Sequence, residues 1–565
     1  MGLNGALAAV GRSLEVFTTG IHVAGQNISN SATPGYIREK LNISTNLPYS
    51  NGALILGTGV KADGIRQQID QYLETRIHAS SSEYSASNAL KSIYRQLESE
   101  LDELGDGALS KGVNQFLGTI NDVVNQPESI PFRQFAVADG ETLADQIQSL
   151  RGRINELRSA QSIKLESLVE EANRLVDTVY QLNFDIVRSE YGGLIDSDAG
   201  ALRSQRYDAL QRLSEIMPIQ YEERSDGSVD VRTPTDYLIL AGHFQYLEAT
   251  TELDRGVRVT YVNLEQTGSD VSHLGGEIKG VIEGRDNVLG GFVDDLDEYI
   301  ANFIYEFNRI HSSGQGLKGF TSLTGASVVS DATAVLNDAG LRFSPTHGSF
   351  ELSVKNRLTG IAESSIINID LDGIGSDLTL EGLRDALNAA NPHVTAVITN
   401  DNRLKITADD DYEYTFNNDT SGVLASLGIN TFFVGEDSTD IAVNSIVRDD
   451  HAYFATARGG GPSDGSNAQL LAKFSDNPVA VMQNASLIEY YDVLISTLAQ
   501  SSATTTSLTD GLSAYQDSLQ SQRSQFSGVS LDEEAIKMME FQRAYQASAR
   551  MIGIIDELFD VLLNI

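Results

Sequence analysis

Near the start of the chain, apolar side chains fall at Leu3, Leu7, Val10, Leu14, Phe17, Ile21, Ala24 and Ile28, spaced alternately four and three residues apart. That spacing is a heptad seam, and it predicts one helix from Leu3 to Ile28, roughly 39 Å long at about 1.5 Å per residue. The far end repeats the device. Leu531, Met538, Tyr545, Ile552 and Phe559 recur every seven residues, and Phe541, Ile555 and Leu562 occupy a complementary column that Glu534 and Ser548 interrupt. Asp532, Glu533 and Glu534 follow Ser530, a residue type suited to cap a helix whose acidic first turn favours the positive end of its dipole, so this helix is expected to begin near Leu531. One amphipathic seam ordinarily faces the core of its own domain. Two at opposite ends predict a pairing that brings the termini together and makes everything between them a single excursion. Ordering costs ~1 to 2 kcal/mol per backbone residue against ~1.5 to 3 kcal/mol per large side chain buried, so a two-helix arm is expected to order only with further neighbours.

Between the ends the period changes several times. From Glu141 to Glu190 there is no proline, and Leu143, Ile147, Leu150, Ile154, Leu157, then Leu165, Leu168, Ala172, Leu175, Val179, Leu182 and Ile186 predict a long helix or helical hairpin. Further helical blocks run through Leu90, Ile93, Leu97, Leu101 and Leu104, and through Val293, Leu296, Ile300, Ile304 and Phe307, with another expected to start at Pro478 as its first helical residue. Alternation at Val257, Val259 and Tyr261 and at Phe350, Leu352 and Val354 predicts strands. Residues 366–427 read as a strand, a short helix through Leu380, Leu383 and Leu387, and strands at Val394 to Ile398, Leu404 to Ile406 and Tyr412 to Phe416. Gly459 to Ala468 reads as a flexible joint and a domain boundary. The expectation is an α+β multidomain chain, with terminal coiled-coil helices at 1–60 and 526–565. An elongated helical bundle would draw on 61–215, 285–320 and 460–525, with a small β-rich segment at 216–284 and a β-rich inserted outer domain at 321–459.

Length and composition agree with this division. At 565 residues the chain exceeds what one hydrophobic core supports. Its formal charge of −38 repels phosphate backbones and anionic lipid, so neither nucleic acid nor a membrane surface is expected as a partner. Cysteine is absent, which removes disulfides, thiolate nucleophiles and thiolate metal sites together. No run of apolar residues suffices to span a bilayer; the opening residues lack the basic start of a cleavable signal, and Ala6 stands where a myristoylation motif needs Ser or Thr.

Residues 26–36, Gln-Asn-Ile-Ser-Asn-Ser-Ala-Thr-Pro-Gly-Tyr, resemble the N-terminal signature of the flagellar rod, hook and hook-associated proteins, carried here by Asn27, Asn30, Thr33, Pro34, Gly35 and Tyr36. Physically the segment reads as a helix stop followed by an elbow: Pro34 biases Thr33 to extended geometry and Gly35 permits the turn. The end of the chain, from Ser530-Leu531-Asp532-Glu533-Glu534 through Phe541-Gln542-Arg543-Ala544-Tyr545 to Phe559, is similar to the matching C-terminal signature. A stretch from Gly200 to Gly242 is similar to one particular to a hook-associated branch of that family, departing from it at Leu202, Arg203 and Ser204. The resemblance implies a structural subunit without cofactor, metal or catalytic residues, exported unfolded by the flagellar type III apparatus and placed extracellularly where hook meets filament. It further implies a ring of copies, hook protein and hook-associated protein 3 as neighbours, and a cytoplasmic flagellar export chaperone. A hook or distal-rod protein is the same-class alternative, and a hydrolase carried on a flagellar scaffold the different-class one.

Several sequence motifs could in principle carry chemistry. Gly314 to Gly319 satisfies the dinucleotide fingerprint, but a helix is expected before it rather than a strand. Asp196, Asp198 and Gly200 hint at a calcium loop without its terminal glutamate, and the solvated turn is the expected reading. The eight histidines never fall three or four apart, so no helix presents a two-histidine metal face. Asp409-Asp410-Asp411 and Asp449-Asp450-His451 are the acidic clusters that catalysis would use, and chance supplies such clusters in a chain this acidic.

Overall fold

A computed structural model of the chain describes residues 2–563 except 34, 52–53, 102–107, 192–196, 480–481 and 483. Pro34, Leu104 and Asp196 therefore lie outside the described residues. The protein is a mixed α+β, multidomain chain, and it divides into two compact units. The first is Met1–Ile93, Arg158–Asn287 and Ser502–Ile565, and the second is Tyr94–Leu157 and Val288–Ser501. The segments 61–215, 285–320 and 460–525, grouped by their helical period, contribute to both units. Periodicity reports which residues are helical, not which helices share a core.

In the first unit, an N-terminal helix (Leu3–Ser29) leads through the elbow into an antiparallel hairpin of Glu39–Thr45 on Val60–Gln67, with a bulge between Asn42 and Ile43. The helix Gln71–Leu101 follows, and the chain returns to this unit within a single 61-residue helix, Ile130–Glu190. The proline-free run predicted from Glu141 is this helix, unbroken and begun eleven residues earlier. Its Leu165, Leu168, Val169, Ala172, Val176 and Val179 pack with the helix Gly200–Ile216 on a four-stranded antiparallel sheet, in the order Gln220–Glu223, Val229–Arg232, Tyr237–Leu240, His243–Phe244. Val229 and Val231 face that core while Arg232 is exposed, the alternation of a sheet with one solvated side. The hairpin Leu247–Asp254 on Val257–Leu264 adds Val262 and Leu264 to the same core. A penultimate helix, Leu487–Ser527, and a C-terminal helix, Leu531–Leu563, close the unit from Ser502 onward.

The second unit is built on the helix Gly290–Ser312, whose Phe303 and Phe307 stack into a cluster with Phe116, Phe432, Phe433 and Phe474 at centroid separations of 4.7–6.4 Å. His311 is fully buried beside it. Its Nε2 accepts from the Ala455 amide (3.0 Å) and its Nδ1 donates to the Asn430 carbonyl (2.9 Å), so both ring nitrogens are used and the neutral tautomer is fixed. Burial pushes this imidazole down to about 4. Two three-stranded sheets complete the unit, one ordered Ser322–Thr324, Leu404–Ala408, Val394–Ile398 and the other Ala362–Ile369, Gly348–Asn356, Tyr412–Asn417. The short helix between their strands is Leu380–Ala390, capped by Thr379, whose hydroxyl oxygen accepts from the Gly382 amide (3.0 Å).

Two expectations fail here for local reasons. Pro478 does not open a helix: it bridges to Ser486, and the helix starts at Leu487. Ser486 and Glu489 form a reciprocal capping box, the Ser486 amide donating to Glu489 Oε2 (2.9 Å) and the Glu489 amide to Ser486 Oγ (3.2 Å), which satisfies two otherwise orphaned helix donors at once. Nor is Gly459 to Ala468 a free joint between units. Asp464 accepts from the amides of Arg458, Gly460 and Ser466 at 2.8–3.0 Å, Asn467 is fully buried, and the nearest division of the chain falls at Ser501 and Ser502.

Candidate assembly site at the paired termini

The N-terminal and C-terminal helices pair antiparallel. Asn27 meets Glu534, Gly25 faces Met538, and Gly20 lies against the Phe541 ring, so ascending positions on one helix meet descending positions on the other. At Gly20 a Cβ would stand 2.8 Å from that ring. The missing side chain is what lets the aromatic reach the backbone.

At the elbow end of the pair sits a polar clasp. Asn27 is fully buried and uses every group it has: Nδ2 donates to the Glu39 carbonyl (2.8 Å) and to Glu534 Oε2 (3.0 Å), and Oδ1 accepts from the Glu39 amide (3.0 Å) and the Tyr36 hydroxyl (2.9 Å). Arg38 Nε donates to Glu534 Oε1 (2.8 Å), its Nη2 to Glu533 Oε2 (2.8 Å), and its amide to the Ser527 carbonyl (3.0 Å). Lys537 Nζ adds a contact to Glu534 at 3.2 Å. Burial pushes the Glu534 carboxyl up, but the hydrogen bonds from Asn27, Arg38 and Lys537 outweigh it and hold the group below the usual carboxylate range. Glu39 goes the other way, raised by burial and by Asp198. The Tyr36 phenol is pushed up, first by burial and then by the charges of Glu39 and Glu534. A buried carboxylate with three donors is tolerable; without them it costs several kcal/mol, on the order of 3 to 5.

The elbow is held from its other side as well. Asn30 caps the helix through Nδ2 to the Gln26 carbonyl (3.0 Å), the Thr33 amide donates to the Asn30 carbonyl (2.9 Å), and Gly35 takes a φ of +74°, a left-handed turn that a side chain would resist. Ser204 Oγ accepts from Gln67 Nε2 (2.9 Å) and from the Ile37 amide (3.4 Å). Beside it, Arg203 is bound by Glu190 (2.7 Å) and Glu223 (2.6 Å); burial would lower its pKa, and these carboxylates raise it instead. Leu202 to Ser204, where the sequence departs from the family pattern, thus hold an ion-pair cage and an elbow contact.

The heptad seam and the observed packing face of the N-terminal helix differ. Buried positions are Val16, Gly20, Val23, Ala24 and Asn27, a stripe roughly 100° round the helix from the seam. Of the predicted seam, Ala24 is buried, Leu3, Val10, Leu14, Phe17, Ile21 and Ile28 are half-buried, and Leu7 is exposed. On the C-terminal helix Ile555 is buried and Met538, Phe541, Ile552 and Phe559 are half-buried towards the partner, while Leu531, Tyr545 and Leu562 are exposed. Hydropathy gives no weight to Gly20 or Asn27, and it read Glu534 as an interruption of a column when it is the most buried charge of the helix. Opposite the paired face, the C-terminal helix displays Ile536, Met539, Met551, Ile554, Leu558 and Val561, all 48–58% exposed. Among the described residues, none covers this second apolar stripe.

The candidate chemical motifs go to structural roles. Asp198 is paired with Arg66 (2.7 Å) and accepts from the Gln67 amide (2.9 Å), so the turn expected to be solvated is an ion-paired one. The segment Gly314 to Gly319 follows a helix and bridges to Ala457. Asp409 contacts His393 (2.9 Å) and Asp450 contacts Lys318 (2.5 Å), each on the surface. His347, Asp370 and Asp372 bring potential ligand atoms within 4.8 Å of one another, all exposed. Two of the three, Asp370 and Asp372, are two positions apart in one loop, and exposed groups of this kind gather without a metal. Among the described residues no helix is long and apolar enough to cross a membrane.

Two family models match parts of the chain. Residues 520–565 match the family described as flagellar basal body rod FlgEFG protein C-terminal, and residues 94–326 match the flagellar hook-associated protein FlgK helical domain. Flagellar hook-associated protein 1 of Escherichia coli (strain K12) is 24% identical over 586 aligned residues, covering 100% of this chain and 98% of that one. Its namesake in Bacillus subtilis (strain 168) is 22% identical, covering 98% and 96%. A solved structure, the flagellar hook junction protein FlgK from Burkholderia pseudomallei, superposes with a TM-score of 0.48 at 13% identity, over 80% of this chain and 100% of that one. The class is that of the structural proteins of the flagellum. Within it, the chain is similar to hook-associated protein 1 along its whole length.

Proposed function

We propose that this chain is the junction subunit that links hook to filament, assembled as a ring of its own copies through the terminal helices. The observation that carries this is the unpartnered stripe from Ile536 to Val561. The clasp fixes which face of the C-terminal helix turns inward, so the opposite face is presented in one register to neighbours. Ordering of the two-helix arm is completed by those neighbours. Hook protein lies on one side of the ring and hook-associated protein 3 on the other. The chain reaches the extracellular flagellum unfolded, through the type III apparatus, and a cytoplasmic export chaperone escorts its C-terminal segment. It carries out no catalysis.

The test is Ile554→Asp with Leu558→Asp. Both positions are exposed in the single chain, so the purified variant is expected to keep its helical content and melting behaviour. Cells carrying it are expected to build hooks, shed filament subunits into the medium and fail to swim. Normal filaments on those cells would overturn the proposal.

A further inference from the structure

In several places an asparagine on a helix closes the backbone of a strand. Asn27 bonds both the amide and the carbonyl of Glu39, and Asn173 at Leu247, Asn183 at Val229 and Asn388 at Ala396 do the same, every bond between 2.7 and 3.0 Å. An amide and a carbonyl held in this way are closed to a further strand. The strand Ala362–Ile369, at the edge of its three-stranded sheet, has no such clamp among the described residues. Its neighbour, Gly348–Asn356, turns the Ser349 carbonyl away from it to the Thr420 amide (2.9 Å) and the Asn356 amide towards it to the Ile361 carbonyl (2.9 Å). By the alternation of antiparallel pairing, Glu363, Ser365 and Ile367 bond that neighbour, while Ala362, Ser364, Ile366 and Asn368 point their amides and carbonyls off the edge. These four are exposed, Ile366 at 71%, and no described residue bonds those groups. The helix Leu380–Ala390 meets the strand from its inner face, where Ser365 Oγ donates to the Ala390 carbonyl (3.0 Å). Glu363, the one charge of the strand, accepts from Asn391 on that same side (3.4 Å). The outward edge therefore carries no lysine, proline or charge to blunt it.

We propose that this edge pairs with the same edge of a second copy of the chain, antiparallel about a two-fold axis at Ser365. The strand is complementary to itself in that register. Ala362 meets the partner's Asn368 and Ser364 meets the partner's Ile366, so every open amide and carbonyl finds a mate. Registers to either side are blocked: one needs the Gly360 amide, already bonded to the Asn356 carbonyl (2.8 Å), and the other needs the Asp370 carbonyl, already bonded to the Leu378 amide (2.8 Å). Glu363 falls opposite the partner's Ile367, so no like charges face each other across the pair. Such a contact is isologous and closes at two copies, so it cannot repeat around a ring. It joins free copies, or copies in separate rings, and does not rest on the junction role proposed above. A single strand edge buries less than the ~1,200 Å² of a stable complex, which makes the dimer weak and reversible.

Analytical ultracentrifugation of the purified full-length chain over a concentration series tests this, at high salt so that two acidic copies are screened from each other. A reversible equilibrium between monomer and dimer is expected. Ile366→Lys places a charge on the edge and Ser364→Pro removes one of its amides; each is expected to raise the dissociation constant at least ~10-fold with helical content unchanged. Because the chain has no cysteine, the register can be read as well. Ser364→Cys chains mixed with Ile366→Cys chains and mildly oxidised are expected to give more covalent dimer than either variant alone. A chain that stays monomeric at every concentration overturns the proposal. So does a dimer that survives both substitutions, or one that cross-links no better in the mixture than in the separate variants.

Discussion

The phenylalanine cluster of the second unit and the clasp at the termini solve opposite problems. Around Phe307 the rings and the neutral His311 are enclosed on every side, so the site is finished within one chain. Around Asn27 and Glu534 a handful of polar groups determine how two helices meet while the outer face of one of them stays bare. The first region spends its side chains on stability. The second spends them on register, and leaves apolar surface for something else to cover. A structural subunit needs both: a body that holds its shape alone, and an arm whose geometry is set before its contacts are complete.

Truncation inside the enclosed region is expected to have the largest effect. Phe307→Ala removes a fully buried ring at the centre of the cluster and should cost ~3 to 5 kcal/mol, read as accelerated amide exchange in the helix Gly290–Ser312 with the terminal helices unchanged. Next comes the clasp. Arg38→Met leaves Glu534 buried with Asn27 and Lys537 alone, and ~3 kcal/mol should be lost locally; amides of the C-terminal helix then exchange faster while those around Phe307 do not. Equal loosening of both regions by either substitution would show that the two are not independent.

Acid should sharpen it with a smaller effect. His311 sits at about 4 when folded against an ordinary value of 6.5, so below 6.5 the unfolded chain binds a proton that the folded one refuses. Stability from this residue is fully present above 6.5 and is lost as pH falls towards 4; at pH 5 the loss is about 1.5 × 1.36, or ~2 kcal/mol. Glu534 is depressed below the usual carboxylate range, so its contribution survives to lower pH and is lost only as pH falls through its folded value. Loosening around His311 at pH 5 with the clasp still protected is the expected exchange pattern, and His311→Gln should flatten the first transition.

Element type was largely legible in the sequence, because it follows from the period of large apolar residues. Both terminal helices, the long helix and the strands around Phe350 and Tyr412 stand within a few residues of where that period places them, apart from the earlier start of the long helix at Ile130. What escaped depends on small or polar residues. Gly20 matters through the side chain it lacks, and Asn27 through four hydrogen bonds that join segments far apart in sequence. Ser486 and Glu489 do carry a local signal, the S-x-x-E box, and weighing it above Pro478 would have placed the start of the penultimate helix. Asp464 had no such signal: a run rich in glycine reads as loose until one carboxylate is seen gathering its amides.

The hydrogen bond from Asn27 to Glu534 spans 507 positions. A loop of that length closes only when nearly every residue of the chain is already present. The clasp is therefore a mark of completeness: a chain broken anywhere before Glu534 leaves Asn27 without its distant acceptor and the N-terminal helix without a mate, and only a whole molecule presents the paired arm.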